Sequence, residues 1–224
     1  MLVLLLLNQM GLLSGVTGVS EFIVRVPYLV ALVLAITIHE FSHGFVATLF
    51  GDGLPRRVGR LTLNPLKHLD PLGTLMILVG PIGWGRPMPI NPGEMRNPNL
   101  GWAMSSVAGP ASNILAAGVV WGLYGLLGGP RSGMQFVFVY VYVSVNIALA
   151  VFNLLPVPPL DGFGFFFGLA PRPMKVVLMP LQWYGPLLLL AVLFLPGPSA
   201  IVGEYLTMGR QLIMGLLGVP SVGV

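Results

Sequence analysis

Cysteine is absent from the 224-residue chain, which excludes disulfides and any thiolate metal site. Charge is almost as scarce. Asp, Glu, Lys and Arg make up 8% of the chain against 55% hydrophobic residues, whereas a soluble domain carries about a quarter charged residues. With a mean hydropathy of +0.89, that balance excludes an ordinary soluble globule and makes the lipid bilayer the expected surroundings. Histidine occurs three times, so any metal site must draw on a short inventory of His, Asp and Glu. The formal charge of +4 does not imply nucleic acid. The basic residues lie scattered between apolar runs, as the bias of cytoplasmic loops requires, and no duplex-binding patch is expected.

What the chain has in abundance is long apolar runs. They predict an all-α polytopic membrane protein, one membrane-embedded domain over residues 1–224, with spans at about 26–50, 102–127, 134–155 and 178–195. Pro27 suits the first turn of the first span and Gly51 its stop. Between them, about 24 residues at 1.5 Å each reach about 36 Å, enough to cross with some tilt. Residues 51–101 are rich in Gly and Pro and carry Arg56, Arg57, Arg60, Lys67, Arg86 and Arg96, which marks that side as cytoplasmic. Within them Leu72 to Trp84 is apolar but too short to span. A re-entrant loop over 72–92 is expected, partly β-like because each residue before a proline in Arg86-Pro87-Met88-Pro89-Ile90 is pushed out of the helical region.

The first twenty residues read as an interfacial or partly inserted segment, with an extra span as the alternative; no basic residue precedes Leu2 to Leu7 as in a signal peptide. Small residues from Ala108 to Gly118 would let another helix approach the second span closely. The third span carries Asn146 and Asn153, seven apart on one face. The prolines at 156, 158 and 159 must end it and are expected to leave Asp161 in a non-helical position. Ile201 to Leu217, with Glu204 and Arg210, predicts a surface or tilted helix.

His39-Glu40-Phe41-Ser42-His43 lies inside the first span. Positions i and i+4 share a helix face, so both imidazoles can hold one metal ion, and Glu40 stands beside them as a base. Three such side chains are costly in hydrocarbon, which favours a functional reading over a polar patch between helices. A hydrolytic zinc site needs a third protein ligand. The helix does not supply it, because positions 46 and 49 are Val46 and Leu49. Glu94 lies in a proline-rich loop and Glu204 near the far end. Asp161 is the best candidate, ahead of Asp70 and His68. A His-His-Asp set also accepts cobalt or iron.

The set of motifs resembles the site-2 protease family of intramembrane zinc metalloproteases. It comprises the His39–His43 pentapeptide, residues Gly59 to Pro71 (GRLTLNPLKHLDP), Ala108 to Asn113 (AGPASN) and Asn153 to Gly162 (NLLPVPPLDG). The match is to the compact prokaryotic branch without appended PDZ or CBS domains, and it covers residues from about 25 to 165. The resemblance implies a three-helix catalytic core with further C-terminal helices and hydrolysis of peptide bonds in transmembrane substrates. It further implies one zinc ion on His39, His43 and Asp161, Glu40 as general base, and Asn113 and Asn153 lining the substrate cleft. For the two asparagines a bond between helices or a helix cap is an equal reading. A metal transporter would want further polar residues along a path, and the sequence offers few. A catalytically idle scaffold for membrane helices is opposed by the intact Glu40.

Overall fold

A computed structural model describes residues 19–73 and 85–220 of the chain; they are mostly helical and, among the described residues, no strand forms. Helix α1 runs Val19–Leu49, the short α2 Leu54–Arg57, α3 Pro98–Leu126 and α4 Met134–Asn153. A further group follows: α5 Asp161–Leu169, α6 Arg172–Trp183, α7 Gly185–Phe194 and α8 Pro198–Leu216. Val26–Leu49, Pro98–Leu126 and Met134–Asn153 are long and apolar enough to cross a membrane. The protein is thus an all-α polytopic membrane protein.

Several boundaries differ from the sequence reading for local reasons. Helix α1 begins ahead of Pro27, which sits inside it. Gly51, at φ +109°, does end it, a conformation that glycine adopts without a Cβ penalty. Helix α3 starts at Pro98 rather than near Trp102, because the Asn97 side chain accepts a hydrogen bond from the Leu100 N–H and caps it. The segment expected to span at 178–195 is two short helices meeting at 72°. Pro186 explains the corner: it offers no N–H to the Gln182 carbonyl, so the helix cannot run on. Most of residues 1–20 and the apolar part of the re-entrant loop lie outside the described residues. Of that loop, residues 72, 73 and 85–92 are described, with 72 and 73 helical. The stretch 85–91 carries the expected extended part. It is non-helical, with one isolated antiparallel bridge between Leu69 and Gly85.

Helix α3 is the hub, packing against α1, α4 and α5. It can do so because its contact faces are small. A Cβ on Gly168 of α5 would sit 2.7 Å from the Ala103 nitrogen, and one on Gly164 would meet the Ser106 hydroxyl; glycines four apart thus let α5 lie directly on α3. A separate apolar cluster joins α4 to α8 through Val143, Ile147, Val151, Val202, Leu206 and Met214. Polar side chains along α1 satisfy themselves within the helix: Thr37, Ser42 and Thr48 each donate to the carbonyl four residues back at 2.7 Å.

Candidate active site

One face of α1, one stripe of α3 and the start of α5 build the site. His39 and His43 are buried one turn apart, with ring centroids 4.5 Å apart and planes nearly perpendicular. Asp161 reaches both rings, Oδ2 at 3.0 Å from His39 Nε2 and Oδ1 at 3.4 Å from His43 Nε2. It is not in a loop, as its proline-rich flank suggested, but is the first residue of α5. The chain rewinds at once after the prolines, and a carboxylate is favoured in a helix's first turn. Gly162 makes that placement possible, since a Cβ there would run into the Leu154 and Leu155 carbonyls.

Three residues of α3, four apart, address the histidine pair. The Ser105 carbonyl is 2.6 Å from His43 Nδ1. Gly109 leaves room for the rings: a Cβ there would lie 2.6 Å from His43 Cε1. Asn113 Oδ1 is 2.7 Å from His39 Nδ1. Its amide nitrogen donates to the Ala35 carbonyl at 3.0 Å and to Asn146 Oδ1 at 2.8 Å. Asn113 is therefore fully buried at a helix interface, with no donor left for a substrate. Cleft lining is not its place; it stands behind His39.

These bonds fix the tautomers. A carbonyl can only accept, so His43 Nδ1 carries its proton toward Ser105. The Asn113 amide must turn its NH2 to Ala35, so its oxygen accepts from His39 Nδ1. In the neutral rings both Nε2 atoms are then lone pairs, and they point at a carboxylate. Asp161 Oδ2 is buried with no hydrogen-bond donor. Three acceptors converging without a proton between them are unstable alone and suited to a cation. Among the described residues His39, His43 and Asp161 are the group whose ligand atoms, all within 4.8 Å of one another, could hold a metal ion. Paired imidazole nitrogens and a carboxylate oxygen are a fitting donor set for zinc.

Asp70 and His68, the alternative third ligands, are occupied elsewhere. Asp70 Oδ1 accepts from the Gly73 N–H at 2.8 Å. His68 is fully buried with Nε2 on the Thr62 carbonyl at 2.7 Å.

Beside the metal group, Glu40 opens onto a cleft of about 500 Å³ whose walls include Met88, Trp102, Asn153, Leu160 and Gln182. The Met88 N–H donates to Glu40 Oε2 at 2.7 Å. Residues 86–91 pass over this carboxylate as a strap tied down at both ends. The Arg86 N–H donates to the His68 carbonyl at 2.8 Å, the Arg86 carbonyl accepts from Arg60 at 2.6 Å, and the Asn91 N–H donates to buried Asp52 at 2.7 Å. Asn153 lies on the cleft wall, one amide hydrogen bonded to the Leu149 carbonyl at 2.9 Å.

Sequence reasoning missed Gly109, Met88 and Gln182. Gly109 could have been found, because Ser105, Gly109 and Asn113 follow helical spacing. Gln182 gave no signal, since nothing in its sequence surroundings marks α6 as a wall of the cleft.

Membrane-spanning helices that turn a His-Glu-x-x-His face and a carboxylate toward one cleft define a membrane metalloprotease. Comparison with known proteins agrees. The chain is 38% identical over 200 residues to "Putative zinc metalloprotease YwhC" of Bacillus subtilis, covering 85% of this chain and 90% of that one. It is 30% identical over 174 residues to "Putative zinc metalloprotease Rip2" of Mycolicibacterium smegmatis, covering 73% of this chain and 64% of that protein. The chain belongs to this zinc metalloprotease family. No family model and no solved structure matches it.

Proposed function

We propose that the chain is an intramembrane protease of the site-2 type and of its compact branch, hydrolysing peptide bonds of transmembrane substrates in a prokaryotic cell membrane. The observation that carries this reading is the convergence of His39 Nε2, His43 Nε2 and the Asp161 carboxylate within 4.8 Å, on membrane helices and beside Glu40. These three residues hold one zinc ion. When bound, zinc supplies Lewis acidity, which acidifies water and polarises a carbonyl.

Glu40 takes a proton from the attacking water as its oxygen bonds to the scissile carbonyl carbon. It returns that proton to the amine nitrogen as the C–N bond breaks. The Met88 N–H holds the carboxylate in place for both transfers. A helical substrate has its carbonyls engaged internally, so a local stretch must unwind in the cleft. There Asn153, with one amide hydrogen and its oxygen uncommitted among the described residues, meets the exposed backbone. In this reading the strap, and the cleft beneath it, face the cytoplasm, which the arginines of residues 51–101 favour.

The test is cleavage of single-span substrates by purified protein, wild type beside Glu40→Gln, with zinc quantified in both. Cleavage lost only in the variant, with zinc retained in both, supports the reading. Zinc with no cleavage by wild type points to a scaffold, and zinc flux in vesicles to a transporter. Folded protein without zinc overturns the site.

A further inference from the structure

Most hydroxyls of the helices around the site are satisfied within their own helix. Thr37, Ser42 and Thr48 of α1, and Ser105 and Ser112 of α3, each donate to a carbonyl three or four residues back. Ser106 does not. It is only 9% exposed, it borders the cleft beside Glu40, and it has no hydrogen-bond partner among the described residues. Ser144, likewise unpartnered, does not reach the cleft. One turn before Ser106 on α3, the Trp102 indole is held against Phe167, with ring centroids 5.8 Å apart. It too borders the cleft, and its N–H has no partner among the described residues. An indole nitrogen only donates, and a buried one normally places its hydrogen on an acceptor.

The two groups converge on one place, which Gly164 of α5 keeps clear. A Cβ at position 164 would lie 2.5 Å from Ser106 Oγ and 3.4 Å from Trp102 Nε1, so any side chain there would stand between the two hydrogens. Gly164 is also on the cleft wall. It follows Asp161 by three residues, about 4.5 Å along the helix axis, roughly one or two residues of an extended chain from the metal group.

We propose that Trp102 and Ser106 form a carbonyl-binding subsite of the cleft, which holds the main-chain oxygen of a substrate residue flanking the scissile bond. The inference rests on the protease reading and names the substrate group that is held. A stretch of helix that unwinds leaves its carbonyls without their N–H partners, and an unpaired carbonyl away from water is costly. Two donors fixed in advance match the two lone pairs of one carbonyl oxygen. Trp102 offers nothing to a substrate N–H, so the pair also sets register. Carbonyls alternate between the two edges of an extended chain, and a shift by one residue would turn this one away. The subsite thereby selects which peptide bond lies over the metal group.

The experiment uses purified full-length protein in two backgrounds: wild type, which cuts a single-span peptide and identifies the cleaved bond, and Glu40→Gln, which binds it uncut. Peptides carry one thioamide at successive positions around that bond, since sulfur is the weaker acceptor. In Glu40→Gln we expect one position, within about two residues of the bond, where the thioamide weakens binding about 5- to 10-fold. Trp102→Phe and Ser106→Ala should each weaken the all-amide peptide by a similar factor with zinc content unchanged. With both substitutions present, the thioamide at that position should cost no more. In the wild-type background the pair of substitutions should lower kcat/KM and widen the set of bonds cut. Wild type that cuts, with no position coupled to Trp102 or Ser106, overturns the subsite alone and leaves both as packing residues. Wild type that cuts no peptide overturns the protease reading and the subsite with it.

Discussion

Gly109 and His43 fit together with no space to spare: a Cβ at position 109 would lie 2.6 Å from His43 Cε1 and 2.7 Å from His39 Cε1. Neither ring can retreat, since each is tied at Nδ1 to another part of the same helix face. Gly109→Ala is expected to lower zinc affinity at least about 100-fold and to abolish cleavage. Gly122→Ala on the same helix, where a Cβ meets nothing within 4 Å, should keep full zinc and an equal or higher thermal midpoint. Metal content and melting of the two variants check this.

The sequence made the residue types of the candidate site legible because they carry spacing. A four-residue step puts His39 and His43 on one helix face, and charge scarcity made three polar groups in a span conspicuous. The third member of the candidate metal group, Asp161, was legible only by elimination and resemblance, since nothing local shows that α5 folds back onto α3. Glycines 164 and 168 enable that return, yet they read equally as lipid-facing small residues. Asn113 was left between two readings because an asparagine in a span can face a cleft or a neighbouring helix. Only the partners, Ala35 and Asn146, decide it. The corner at Tyr184 was hidden by an apolar run that continues through it.

Removing the metal should destabilise the protein as well as silence it. Two bare imidazole nitrogens and an unpartnered Asp161 oxygen would be left facing one another in a buried site. Chelation is expected to lower the thermal midpoint, and added zinc to restore it in step with cleavage, by mass action on the native state. Asp161→Asn, which relieves the repulsion, should lose zinc but melt above the chelated wild type. Thermal unfolding in detergent with and without chelator measures this.

Asn153→Leu should leave zinc content unchanged, because its amide touches no ligand. Cleavage efficiency should fall on the order of 10-fold, the loss of one or two hydrogen bonds to substrate backbone. Steady-state kinetics beside metal analysis check it, and zinc loss in this variant would move Asn153 to the structural side.

The segment between α1 and α3 has its own acid limit. Arg57 grips Glu94 with two hydrogen bonds, at 2.6 and 2.9 Å, and that pairing pulls the Glu94 carboxyl down to about 2 from an ordinary 4.5. A depressed folded-state value stabilises above the unfolded one and is lost as pH falls through the folded one. The gap in thermal midpoint between wild type and Arg57→Ala should therefore be constant above about pH 4.5 and close toward pH 2. The pair is exposed to solvent, so 1 M salt should shrink the gap at every pH.

The strap over Glu40 has almost exhausted its backbone donors. Pro87 and Pro89 have no N–H, and the N–H groups of Arg86, Met88 and Asn91 are spent on His68, Glu40 and Asp52. Among the described residues Ile90 alone keeps one to offer, against carbonyls at Pro87, Met88, Pro89 and Ile90. The strap is a one-handed strand, able to receive hydrogen bonds but hardly to give them. A polypeptide laid along it would be gripped by its own amide hydrogens, the groups an unwinding helix sets free. Two such straps brought together would present acceptor to acceptor, so the open edge that waits for other chains is closed to its own kind.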